Sequence, residues 1–197
     1  MSASTRDRAP VEHFERLTAA SEDPWGYATS AYEQDKYRRT LAWLPERIDS
    51  GLELGCSIGV FTALLAPRSR RLIAVDFSPT SLRHAKRRVA SLPQVELRRS
   101  RLPEEMPAGP FSAIVCSEIL YYWSADLVAL GLRRIEAALA PGGVLVAVHW
   151  RHGDPRRVLD GDGVHAILHR RARLAHTGSE ATEDFLLDAF ARECEDG

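Results

Sequence analysis

Cysteine is scarce in this chain, and the little there is lies far apart. Cys56, Cys116 and Cys194 are the only three, and no pair has C-x-x-C spacing. An odd and scattered set builds neither a disulfide framework nor a thiolate zinc site, so these read as buried thiols of a reduced compartment. Charge imbalance is missing as well. The 26 basic residues face 27 acidic ones, for a net charge of −1. No global field therefore draws in a nucleic acid or an anionic membrane. Lysine is nearly absent, with Lys36 and Lys86 alone among arginines; this skew carries no functional reading. The cluster Arg98, Arg99 and Arg101 reads as a solvated strand end.

Long hydrophobic runs are absent too. No stretch of about 18 apolar residues offers a membrane span, and the opening MSASTRDRAPVEHFERL has no apolar segment of the signal-peptide kind. A soluble, cytoplasmic protein is the expectation. With no repeat, low-complexity tract or linker, residues 1–197 are expected to form one domain, residues 1–9 being disordered.

Hydrophobic residues at 45% and charged residues at 27% fit a globular domain large enough to bury its own core. Residues 10–20 and 31–44 read as helices, the second capped by Ser30 and stopped by Pro45. From there strands and helices alternate. Strands are expected at 50–54, 70–77, 95–100, 111–120 and 142–150, with helices between them at 60–65, from Ser78-Pro79 onward, and at 124–139. A helix near 162–171 and two possible strands, 173–180 and 184–192, complete the chain. This alternation predicts an α/β fold, a doubly wound and mostly parallel sheet with helices on both faces. Ligands of such sheets bind beyond the carboxyl ends of the strands, where the strand order reverses.

The loop after the first strand reads Glu53-Leu54-Gly55-Cys56-Ser57-Ile58-Gly59. Gly55 is expected to need positive φ, and Gly59 to allow a close backbone approach at the next helix start. Asp76 closes the second strand about 20 residues further on, where a carboxylate can accept hydrogen bonds from both hydroxyls of a ribose. A dinucleotide fingerprint G-x-G-x-x-G fails here, because Ser57 and Val60 stand where glycines are required. The loop is instead G-x-S-x-G, and it tolerates serine if φ at residue 57 is negative.

That loop resembles the E-x-G-x-G-x-G motif of class I S-adenosylmethionine-dependent methyltransferases, with Ser57 replacing the common middle glycine. Residues 23–41, 53–67, 101–107, 117–122 and 148–150 together resemble the NodS-like branch, named for a nodulation N-methyltransferase. The resemblance implies a seven-stranded Rossmann-like sheet with an antiparallel last strand and S-adenosyl-L-methionine as cofactor, while the aromatic-rich N-terminal segment, with Trp25, Tyr27, Tyr32 and Tyr37, reads as part of a helical lid over residues 10–45. It also implies a cofactor site at Trp25, Glu53, Gly55, Cys56, Ser57, Gly59, Asp76, Phe77, Ser78, Arg101, Leu102 and Ser117. In this assignment Phe77–Ser78 and Arg101–Leu102 flank the adenine, and Arg101 either covers that ring or stays a surface arginine.

For the acceptor side, Glu118, Tyr121, Tyr122 and His149 stand at strand ends, and Glu118, His149 and Tyr122 are the expected catalytic residues. An amine acceptor must only be neutral when it attacks, whereas a hydroxyl needs a base, for which His149 is suited near pH 7. DNA and RNA amino-methyltransferases of this fold carry [N/D]-P-P-[Y/F] after the fourth strand, but Ser117-Glu118-Ile119-Leu120 stands there. The expected partner is a small-molecule acceptor, most simply an amine, such as that of an amino sugar, with a hydroxyl acceptor or a non-catalytic binding module as alternatives. Neither nucleic acid nor membrane is expected as a partner, and the protein is expected to be a monomer or a homodimer. His165 and His169 share a helix face, but no third ligand is evident, so no metal site is expected.

Overall fold

The computed structural model describes residues 8–9, 11–152 and 157–194. Two helices, α1 (Val11–Ala20) and α2 (Ala31–Ala42), precede the sheet. Ser30 caps α2 by accepting from the Glu33 N–H at 3.4 Å. The helix ends at Ala42, sooner than expected, because the chain tightens ahead of Pro45. Strands and helices then alternate: β1 (Gly51–Leu54), α3 (Val60–Leu65), β2 (Leu72–Asp76), α4 (Pro79–Arg88), β3 (Val95–Arg99), β4 (Phe111–Ser117), α5 (Ala125–Ala138), β5 (Leu139–Trp150), α6 (Gly161–Arg171), β6 (Ala175–Ala181) and β7 (Phe185–Ala191).

The seven strands form one sheet in the order β3-β2-β1-β4-β5-β7-β6. β7 runs antiparallel to both its neighbours, while the first five strands pair in parallel. Every residue of β1 and β2 is buried, as expected of strands covered on both faces. One core layer packs Leu52, Leu54, Val75, Ile114 and Leu145 against α5 and α6. The other packs Val115, Val146, Val148 and Leu187 against Tyr37, Phe61 and Leu65. The order reverses between β1 and β4, which opens a crevice at the carboxyl ends of β1, β2 and β4.

Two departures from the sequence reading bear on that crevice. β4 stops at Ser117 instead of running to residue 120, because Glu118 takes φ 56°, a left-handed conformation that breaks a strand. Arg8 and Ala9, expected to be disordered, are held in place. The Ala9 N–H donates to the Tyr122 carbonyl at 2.9 Å, and the Arg8 guanidinium reaches the Leu102 carbonyl at 3.0 Å and Glu104 at 2.6 Å. The rest of the segment expected to be disordered, residues 1–7, lies outside the described residues.

Candidate active site

The crevice collects residues far apart in the chain. Trp25, Glu53, Gly55, Cys56, Ser57, Asp76, Phe77, Ser78, Arg101, Leu102 and Ser117 all line it, as do Glu118 and Tyr122. Its carboxyl groups are Glu53, Asp76 and Glu118, and Arg8 and Arg101 line it as well.

The glycine loop is closed onto β2 by its own backbone. The N–H groups of Gly55 and Cys56 both donate to the Val75 carbonyl at 2.9 Å, and Gly59 N–H donates to the Cys56 carbonyl at 2.9 Å. Ser57 N–H donates to Asp76 Oδ2 at 2.9 Å, while Asp76 Oδ1 accepts from Ser78 N–H at 2.9 Å. Asp76 thus ties both loops together and keeps a lone pair on each oxygen for a ligand. Burial pushes its carboxyl up to about 6, against the pull of those two N–H groups.

Ser57 sits at φ 47°, not at the negative φ that its tolerance was expected to require. A Cβ there strains the backbone, and the bond to Asp76 holds the residue in place. Gly59 is also corrected, because it does not line the crevice. Its φ is 78°, and a Cβ there would come within 3.0 Å of the Ala85 Cβ, so it serves the packing of α3 on α4. Gly55, at φ 76°, would likewise strike Ile119 at 2.8 Å.

Glu53 ends up buried beside the Thr62 hydroxyl. Burial raises its carboxyl to about 7, the hydrogen bond of that hydroxyl pulls it down, and the negative Asp76 adds to the rise. Burial also pushes the Cys56 thiol up, which leaves it an inert wall rather than a nucleophile.

The second end of the crevice is built around Glu118. Its Oε1 accepts from Lys36 Nζ at 2.7 Å, and its Oε2 accepts from the Tyr121 hydroxyl and, at 3.2 Å, from the Trp150 N–H. Lys36 is 1% exposed and also donates to Glu33 Oε1 at 3.0 Å. Burial alone would lower the Lys36 ammonium, but Glu118 and Glu33 outweigh it and hold the pKa above its ordinary value. The Arg157 guanidinium lies 3.8 Å from the centre of the Tyr121 ring and donates to its hydroxyl at 3.2 Å.

His149 is not brought to the crevice. It is fully buried, its Nε2 accepts from the Leu120 N–H at 3.2 Å, and its Nδ1 faces His165 Nε2 at 3.1 Å. Burial drives its pKa well below the ordinary value, so the ring is neutral and holds the 118–122 loop from behind.

Sequence reasoning gave no individual role to several residues that line the crevice, Arg8, Phe14 and Phe61 among them. Phe14 spans its two walls, with ring centres 5.9 Å from Phe77 and 4.8 Å from Tyr122. Trp25 stacks on Tyr27 at 5.4 Å beside it. The apolar spacing of residues 10–20 signals a helix but not what its apolar face covers. The lone acid Asp188 on β7 was also missed. It gathers His165 and His169 with a third histidine, His176, which the sequence pattern did not connect.

A sheet of this order, with a carboxylate ending β2 at the rim of the crevice, defines a class I S-adenosylmethionine-dependent methyltransferase. Within that class, the chain belongs to the nodulation protein S (NodS) family, whose model matches residues 8–169. Nodulation protein S of Bradyrhizobium diazoefficiens is 29% identical over 185 residues, which cover 88% of each chain. The crystal structure of N-methyltransferase NodS from Bradyrhizobium japonicum WM9 in complex with S-adenosyl-L-homocysteine superposes with a TM-score of 0.81 at 27% identity, covering 92% of this chain and 97% of that one. A putative methyltransferase from Pseudomonas syringae is 40% identical with a TM-score of 0.73, covering 83% of this chain and all of that one. No helix among the described residues is long and apolar enough to cross a membrane.

Proposed function

We propose that the protein methylates an amine nitrogen of a small molecule, an amino-sugar amine being the first candidate. The buried Glu53 carboxyl borders the crevice beside Thr62, where it can accept from an ammonium or hydroxyl of the ligand. Asp76 accepts the ribose hydroxyls through its remaining lone pairs. Phe77, Ser78, Arg101 and Leu102 border the adenine, and Cys56, Ser57 and Ser117 wall the methionine end. S-adenosylmethionine, when bound, would supply a methyl group whose carbon bonds to an entering lone pair as its bond to the sulfonium sulfur breaks. Residues 10–45 act as a lid, Phe14 and Trp25 excluding water from that centre and presenting aromatic faces to its positive charge.

The observation that carries the choice of nitrogen is the state of the acceptor end. His149, the base a hydroxyl would need, is buried behind the loop with both ring nitrogens occupied by the Leu120 N–H and His165, and Glu118 is already paired to Lys36. A carboxylate so paired is a weak base but a good hydrogen-bond acceptor, and it can orient an amine that attacks in its neutral form. Tyr122 borders the acceptor. The related NodS of Bradyrhizobium japonicum WM9, an N-methyltransferase, is consistent with this choice. Incubation with labelled donor and matched panels of amine and hydroxyl acceptors tests it. Turnover on amines, with Glu118→Gln lowering kcat at unchanged donor affinity, is the expected result. Turnover restricted to hydroxyls overturns it.

A further inference from the structure

Away from the crevice, α6, β6 and β7 converge on one buried carboxylate. Asp188 is 3% exposed on a strand otherwise made of apolar residues. His169 Nε2 lies 3.1 Å from its Oδ2 and His176 Nε2 lies 3.0 Å from its Oδ1. The three ligand atoms all fall within 4.8 Å of one another. Both histidines are part-exposed, at 44% and 38% of their side chains, so an ion has a path in from solvent.

The backbone is shaped to make this meeting happen. His176 and Ser179 are three apart, which in a regular strand puts them on opposite faces. The pairing with β7 slips between His176 and Gly178, where His176 faces Phe190 and Gly178 faces Ala189. That one extra residue returns both side chains to the face that carries Asp188, a re-aiming characteristic of β-bulges. Ser179 Oγ then donates to Asp188 Oδ1 at 2.6 Å and lies 2.9 Å from His176 Nε2, and His165 Nδ1 sits 2.6 Å from Oδ2. Two outer groups thus orient the carboxylate while two imidazoles converge on it from the solvent side, which is the layered arrangement of a protein metal centre.

We propose that His169, His176 and Asp188 form a binding site for a divalent transition ion of zinc type. Two imidazole nitrogens and one carboxylate are a three-ligand zinc set, leaving a fourth position to water. Ligand bonds of about 2.0–2.1 Å call for ligand atoms roughly 3.4 Å apart, within reach of modest side-chain rotations from the observed spacing. On binding, each Nε2 offers its lone pair to the ion and its proton resides on Nδ1 or leaves to solvent, with no change of oxidation state. The ion would staple α6 to the last two strands. It would also sit at the outer end of the chain Asp188–His165–His149 that holds the Leu120 N–H.

The test uses protein freed of any polyhistidine tag, stripped with chelator and titrated with zinc chloride by calorimetry. One equivalent bound at micromolar affinity or tighter is expected, together with a thermal midpoint that rises with free zinc. His169→Ala and His176→Ala should each weaken binding more than about 100-fold, and Ser179→Ala about 10-fold. Both histidines are exposed enough that their loss should spare the fold, which circular dichroism checks. Cobalt substitution gives a second readout, the visible absorption bands of a tetrahedral nitrogen and oxygen site. Absence of binding, or wild-type affinity in either histidine variant, overturns the proposal.

Discussion

The two ends of the crevice are built in opposite ways. The proposed donor end is local: the loop of residues 53–59 and Asp76 come from neighbouring parallel strands, with Leu54 paired to Val75. The proposed acceptor end is assembled at long range, Lys36 meeting Glu118 across 82 residues and Trp150 meeting it across 32. The donor end relies on backbone hydrogen bonds, which survive most side-chain changes. The acceptor end relies on a buried cation between two carboxylates, and here the loss of one partner leaves others charged and unpaired.

The largest effect is therefore expected at the acceptor end. Lys36→Met leaves Glu33 and Glu118 facing each other without compensation, and should destabilise the fold by about 3–5 kcal/mol. Denaturant unfolding measures it; a loss below about 1 kcal/mol would show that the two ends are equally robust.

At the donor end, Asp76→Asn should weaken S-adenosylmethionine binding by about 1–3 kcal/mol with a smaller change in thermal midpoint. A pH series sharpens this. Asp76 titrates at about 6, so below that pH the free protein carries a proton there that must leave before the ionised carboxylate can accept from the ligand. Affinity should fall up to about tenfold per pH unit below that point. Glu53, raised to about 7, adds to the fall, and Asp76→Asn should flatten part of it. Calorimetry from pH 8 to pH 5 decides the matter, and a flat profile removes Asp76 from the site.

The smallest effect is expected from Ser57→Gly. Relief of a left-handed serine is worth about 1–2 kcal/mol, and the added freedom of the unfolded chain takes back roughly 0.5–1 kcal/mol. A net stabilisation of about 0.5 kcal/mol should appear in unfolding curves, with the loop otherwise unchanged. Destabilisation would mean that the serine side chain contributes something its backbone bond does not.

Most of the fold was legible because its elements obey short-range rules. Apolar runs marked the buried strands β2 and β5, and Ser30, Ser78 and Ser124 each cap the helix they were read to begin. Asp76 was legible for the same reason, since its position at a strand end follows from the strand itself. His149 was misread because a histidine at the end of a strand looks alike whether it faces a crevice or a helix. Only the packing of α6 shows that His165 covers it.

The sequence by itself determined the alternation of strands and helices, the loop after β1 and the carboxylate after β2, because periodicity, capping and turn chemistry act over a few residues. Tertiary structure alone decided that Lys36 neutralises Glu118, that Phe14 bridges the crevice walls and that three histidines surround Asp188. The physical reason is that a buried charge takes its partner from whichever distant element packs against it, and no local pattern records that choice.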